Sequence, residues 1–271
     1  MTLLLLFFAA TLGLIFGSFL NVCIYRIPRD LSIVAPRSFC PECGKQLSWF
    51  QNIPVLSYLL LKGRCRNCSQ PIGVRYPIVE LVTSILFALV AFQYGATLAA
   101  GRWAVFEALL IILFWTDLEE RILPDEVTLG GCFAGIVFAL VTIVPSSLGM
   151  LLFHGLSERW QSLLNAGIGA ALLAMPIWLI ALAYGRIRKR DTLGLGDVKL
   201  LAMIGIFLGP DNGFVALLIG VVGGAVVSIF FLLATRKEAS SYELPFGSFL
   251  CVGAALVPLL TGRLHYSLAV P

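Results

Sequence analysis

The chain has 271 residues, 59% of them hydrophobic and only 13% charged, with a mean hydropathy of +0.95. A soluble domain is about 45–50% apolar and about 25% charged, so these figures exclude an ordinary soluble enzyme and point to an all-α polytopic membrane protein. A net charge of only +4 gives no basis for nucleic-acid binding.

A spanning helix needs about 20 apolar residues. Apolar runs at 2–24, 77–95, 103–117, 127–146, 163–184, 198–209, 213–235 and 245–262 predict eight spans, the sixth being the shortest. Pro77, Gly101, Pro145, Gly185, Gly209-Pro210 and Pro245 punctuate them. The first run carries no charge before it, and Arg26 and Arg29 follow it. A signal peptide has the opposite order, so residues 1–25 are expected to be a retained first helix with its N-terminus outside. Alternating from there puts 16 of the 19 Lys and Arg residues on the inner side and leaves Arg102, Arg159 and Arg263 outside. Inner loops are enriched in these residues, and a wrong span count would have scrambled the bias. The expected organisation is the first helix, an inner loop at 26–76 and a seven-helix membrane domain at 77–271.

The inner loop holds Cys40-Pro41-Glu42-Cys43 and Cys65-Arg66-Asn67-Cys68. Two C-x-x-C pairs at this separation match a structural four-cysteine zinc site. Gly44 can supply the positive φ that such a knuckle needs, and the metal would fold a loop too small to build a core. Two disulfides are the alternative, which an inner location disfavours. Cys23, Cys132 and Cys251 lie in apolar runs and read as small buried residues.

Asp117 closes the third run, and Asp197 opens the sixth within Gly194-Leu195-Gly196-Asp197. A carboxylate in or near a bilayer is costly and defaults to a functional role. The span map puts both on the inner side, with Asp125 in the loop that follows Asp117. Gly194 and Gly196 would let another backbone approach the carboxylate closely. Both histidines, His154 and His265, fall on the outer side, and there is no H-E-x-x-H or phosphate loop. What remains is acid–base chemistry by two carboxylates that share a proton. One echo is visible as well: Phe16-Gly17-Ser18-Phe19-Leu20 recurs as Phe246-Gly247-Ser248-Phe249-Leu250.

Taken in order, these motifs resemble those of the bacterial prepilin peptidases, also called type IV leader peptidases. The resemblance runs from Phe16–Val22 through the cysteine pairs, Arg75-Tyr76-Pro77-Ile78-Val79-Glu80, Asp117 to Asp125, Gly194–Lys199 and Pro245-Phe246-Gly247. The G-x-G-D element is shared more loosely with presenilin-like intramembrane aspartyl proteases. The resemblance implies a two-function enzyme of the bacterial inner membrane whose active site faces the cytoplasm. Its substrates would be type IV prepilins and type II secretion pseudopilins, cut after a glycine and then N-methylated from S-adenosylmethionine. It maps the catalytic pair onto Asp197 and Asp117, with Asp125 as the alternative to Asp117, and the metal ligands onto Cys40, Cys43, Cys65 and Cys68. Two departures stand out: Glu119 where many relatives have aspartate, and Ser248 where proline is common. Neither is expected to touch the carboxylate pair. The rival readings are an ion-coupled transporter using buried Asp and Glu80, and a zinc-containing membrane scaffold without catalysis.

Overall fold

The computed structural model describes residues 2–153, 155–188, 194–235 and 245–268. Met1, His154 and residues 189–193, 236–244 and 269–271 lie outside the described residues. Among the described residues the chain is helical, and the only β features are the isolated bridges Phe39–Gln46 and Arg64–Pro71. It divides into two compact units, Met1–Ile112 and Leu113–Pro271.

The first unit is built on α1 (Thr2–Arg26) and α3 (Arg75–Tyr94). Gly13 and Gly17 lie four apart in α1, the small-x-x-x-small spacing that lets two membrane helices meet at backbone distance. A Cβ on Gly13 would come within 2.6 Å of Ser84 Cα, and one on Gly17 within 2.7 Å of Glu80 Cα. Polar groups seal this seam: Asn21 Nδ2 donates to the Tyr76 carbonyl at 3.0 Å, and Ser84 Oγ to the Ala10 carbonyl at 2.9 Å. The outer face of α1 displays Leu3, Leu4, Phe7 and Phe8, an apolar surface that lipid would cover. At the end of α1 the buried Arg26 guanidinium donates to the Ser32 and Pro36 carbonyls and starts the loop. That loop contains the short helix α2 (Leu56–Leu60). Helix α4 (Leu98–Glu120) begins in this unit and ends in the next.

The second unit holds the end of α4, then α5 (Asp125–Val141), α6 (Ser147–Leu152), α7 (Glu158–Arg188), α8 (Leu195–Thr235) and α9 (Phe246–Leu268). Helix α8 is continuous only in its limits, because Gly209 has φ 76° and ψ −179° and Pro210 follows it. A Cβ on Gly213 would lie 3.7 Å from Gly205 Cα. Eight residues along an unbroken helix span about 12 Å, so the chain turns back at Gly209 and α8 is a helical hairpin. Gly205 of its first half meets Gly169 of α7 so closely that a Cβ on either would overlap the other's backbone. Its second half packs on α9 through Gly220 against Leu250 and Gly224 against Phe249.

Among the described residues, five helices are long and apolar enough to cross a membrane: Thr2–Arg29, Arg75–Tyr94, Leu98–Glu120, Glu158–Arg186 and Leu195–Ala234. Phe246–Thr261 is a shorter apolar helix. The protein is therefore a multi-pass helical membrane protein. The predicted runs 198–209 and 213–235 are the two halves of α8, and the predicted run 127–146 stops being α-helical after Val141, ahead of Pro145.

Candidate active site and metal centre

The two cysteine pairs fold as two copies of one turn. The first cysteine's N–H donates to the carbonyl five residues on: Cys40 to Lys45 at 3.0 Å, Cys65 to Gln70 at 2.8 Å. The residue after the second cysteine donates back to the first cysteine's carbonyl at 2.9 Å, from Gly44 and from Ser69. Both returning residues have positive φ, 68° at Gly44 and 60° at Ser69, so the conformation expected at Gly44 occurs twice. The four Sγ atoms of Cys40, Cys43, Cys65 and Cys68 all lie within 4.8 Å of one another, and Cys40 Sγ is 3.9 Å from Cys68 Sγ. A tetrahedral zinc with bonds of about 2.3 Å has sulfur–sulfur edges of about 3.8 Å. None of the seven cysteines is in a disulfide.

The cluster's electrostatics also suit a cation. Backbone N–H groups of Cys68 and Asn67 lower the Cys65 thiol to about 6. At Cys68 the Gln70 N–H acts in the same direction. Burial and the neighbouring thiols Cys65, Cys43 and Cys40 outweigh it and push that thiol up to about 12. The first proton leaves this cluster easily and a later one with difficulty, because the thiolates repel. A divalent metal removes that repulsion, so the donor set fits zinc.

The second unit carries the carboxylates. Asp117, on the last turn of α4, is only 7% exposed. Its Oδ2 accepts the Ser248 N–H at 2.6 Å and the Ser248 hydroxyl at 2.8 Å. Ser248 is the third residue of α9. Its N–H is one of the donors that a helix start leaves without an intrahelical partner, and the positive end of the helix favours an anion there. The expectation that Ser248 would stand clear of the pair is therefore corrected. The physical reason is that position 248 is where α9 presents its free donors. A Cβ on Gly247 would fall 3.1 Å from Asp117 Cγ and 3.1 Å from Leu123 Cδ1. A Cβ on Gly196 would lie 3.1 Å from Leu123 Cβ. Leu123 is thus a wedge between the start of α9 beside Asp117 and the start of α8 beside Asp197.

Asp197 is half-buried, its N–H donates to the Gly194 carbonyl at 2.9 Å, and the Asp117 charge acts on it. A Cβ on Gly194 would sit 3.1 Å from Asp197 Oδ2, so glycine leaves that oxygen uncovered. Asp125 has other company. It is exposed at the start of α5, and Lys199 Nζ holds both its oxygens, at 2.6 and 2.7 Å. Sequence reasoning missed Ser248 and the lysine partner of Asp125. The repeated Phe-Gly-Ser-Phe-Leu was the available signal for the first.

The candidate site is thus a carboxylate pair at helix ends in a multi-pass helical membrane protein. Residues 11–94 match the Bacterial Peptidase A24 N-terminal domain, and residues 104–229 match the Type IV leader peptidase family. Similar curated proteins are each named prepilin leader peptidase/N-methyltransferase. The one from Myxococcus xanthus is 42% identical over 87% of this chain and 66% of its own length. That from Neisseria gonorrhoeae is 34% identical over 82% of both chains, and that from Pseudomonas putida 31% identical over 96% of this chain and 92% of its own. No solved structure matches. The chain belongs to the type IV leader peptidase family.

Proposed function

We propose that this protein removes the leaders of type IV prepilins and type II secretion pseudopilins with Asp117 and Asp197. It then N-methylates the new N-terminal residue using S-adenosylmethionine. The observation that carries the peptidase reading is the pairing of a buried, hydrogen-bonded Asp117 with Asp197 across Leu123, while Lys199 neutralises Asp125. That arrangement favours Asp117 over Asp125 as the first carboxylate. The methyl-transfer half is supported by the name that the relatives share.

In the first step Asp117 takes a proton from water as the water oxygen bonds the scissile carbonyl carbon, and Asp197 gives its proton to the carbonyl oxygen. In the second step the C–N bond breaks. The leaving amine takes the proton held by Asp117, and Asp197 recovers one from the intermediate's hydroxyl. Protons balance, and each carboxylate ends as it began. Cys40, Cys43, Cys65 and Cys68 would hold a structural zinc that cross-links the two turns of the inner loop.

The reading includes eight spans with both termini outside, a site facing the cytoplasm and residence in the inner membrane. The reversal at Gly209 supports counting α8 as two spans, and the distribution of Lys and Arg supports the orientation. The organisation proposed remains a first helix, a metal-binding loop over 26–76 and a membrane domain from 77 onward. Incubating the purified protein in detergent with a prepilin, with and without S-adenosylmethionine, tests the reading. The expected products are a shortened chain and, with the methyl donor, the same chain one methyl group heavier. Absence of cleavage together with ion-driven uptake in sealed vesicles would favour a transporter.

A further inference from the structure

We propose that Ser248 is a positioning residue that clamps Oδ2 of Asp117 and so assigns proton transfer to Oδ1. The inference rests on the reading that Asp117 belongs to the catalytic pair. Both donors of Ser248 converge on one carboxylate oxygen, N–H at 2.6 Å and O–H at 2.8 Å. The described residues offer Oδ1 no hydrogen bond. The two oxygens of one buried carboxylate are thereby made unequal: one is held, and one is free for water.

The hydroxyl has a second anchor. Ser248 Oγ lies 3.0 Å from the carbonyl of Phe114, on the same helix as Asp117 and nearly one turn before it. A serine hydroxyl has one hydrogen and two lone pairs, so it cannot donate fully to both oxygens at once. With Asp117 ionised, the hydrogen serves Oδ2. When Oδ1 carries the proton taken from water, Oδ2 is the weaker acceptor, and the hydrogen can turn to Phe114 without any movement of the side chain. The N–H keeps Oδ2 in place throughout, because the first turn of α9 has no intrahelical use for it. A proline at this position would offer neither donor. Of the charged groups nearby, Asp197 on α8 feels the Asp117 charge, while Asp125 and Lys199 are engaged with each other.

The test compares Ser248→Ala, Ser248→Thr and Asp117→Asn in the detergent-purified enzyme, reading kcat, KM and the pH profile of kcat on a prepilin substrate. Ser248→Ala removes one hydrogen bond to a charged group and should lower kcat about tenfold to a hundredfold. KM should stay within about twofold and the acidic limb of the profile should be displaced, since the altered group acts in the chemical step. Ser248→Thr keeps the hydroxyl and should restore both. An Ala variant with unchanged kcat and profile, beside an inactive Asp117→Asn, overturns the clamp but leaves the catalytic pair standing. An Ala variant that loses thermal stability with kcat, keeps the wild-type profile and is not rescued by Thr shows a merely structural contact and also overturns it. Full cleavage by Asp117→Asn removes the reading underneath.

Discussion

The five residues Phe-Gly-Ser-Phe-Leu occur once in each unit, and each copy sets a glycine and a serine against a carboxylate that is 7% exposed. In α1 the partner is Glu80 of α3. A Cβ on Gly17 would meet Glu80 Cα, and Ser18 hydrogen-bonds the Glu80 side chain. In α9 the partner is Asp117 of α4. A Cβ on Gly247 would meet Asp117 Cγ, and Ser248 donates twice to Oδ2. The two carboxylates differ in their remaining company. Glu80 accepts the Val55 N–H at 2.7 Å and so ties the cysteine loop to the membrane helices. Val55 has φ 58°, an unfavourable conformation for a β-branched residue that surrounding structure must hold. Asp117 instead has Asp197 beside it. The same local device thus holds a carboxylate in each unit, structural in the first and reactive in the second on the reading proposed above, and the difference is the second acid.

The largest expected effect would break or establish that distinction. Asp117→Asn should keep the fold and lower the cleavage rate by about three orders of magnitude or more, the scale on which loss of an essential acid–base group falls. Glu80→Ala should leave cleavage within about tenfold of wild type but lower the melting temperature, because the half-buried Val55 N–H loses its acceptor, at about 1–3 kcal/mol. Cleavage assays and thermal unfolding in detergent give both readouts. Equal loss of cleavage in the two variants at unchanged stability would show that Glu80 is no mere structural pin.

Metal removal acts on the Glu80 side alone. One zinc per chain is expected by elemental analysis, and Cys40→Ser should reduce it to well below one equivalent. A bound metal would couple to the loop's folding, so the variant should melt lower, while any cleavage it retains should keep the wild-type pH profile. A changed profile would mean that the loop reaches the chemistry of Asp117.

The two glycines give an intermediate effect with opposite readouts. A methyl at Gly17 meets backbone at 2.7 Å and must push α1 off α3, at about 1–3 kcal/mol of overpacking. A methyl at Gly247 meets the Asp117 carboxyl group at 3.1 Å, so a side chain gives way instead of a helix. Gly17→Ala should therefore lower stability with little change in kcat. Gly247→Ala should lower kcat with a smaller loss of stability.

How much of this was legible followed from distance along the chain. The metal site lies in 29 residues, and its chemistry is written in the spacing of Cys40, Cys43, Cys65 and Cys68. The break at Gly209-Pro210 was legible too, because those residues interrupt a helix wherever they sit. Asp117 and Asp197 were legible as costly residues in apolar surroundings. Their union was not, since it depends on Leu123 fitting between two glycines from different helices. Ser248 lies 131 positions from Asp117, and the value of its N–H depends on α9 starting at Phe246. The lysine that occupies Asp125 comes from 74 positions away. Pattern alone therefore left Asp125 as a candidate that its ion pair now disfavours.

The smallest expected effect isolates stability on the Glu80 side from chemistry on the Asp117 side. Ser69 occupies in the second cysteine turn the position that Gly44 occupies in the first, with nearly the same φ, 60° against 68°. Its N–H still donates to the Cys65 carbonyl at 2.9 Å, so the turn is formed and only its conformational cost differs. An L-residue in the left-handed region costs about 1–2 kcal/mol. Glycine escapes that cost but gives back about 0.5–1 kcal/mol through the freedom of its unfolded chain. Ser69→Gly should therefore stabilise the loop by a net of at most about 1 kcal/mol, and Gly44→Ala, which adds the strain, should destabilise it by a similar amount. The Gly44 methyl would meet nothing within 4 Å, so its effect reads backbone strain without packing. Both variants should keep the wild-type kcat while their melting temperatures move in opposite directions. A change of kcat in either would tie the metal loop to the carboxylate pair, and the two copies of Phe-Gly-Ser-Phe-Leu could then no longer be assigned separate roles.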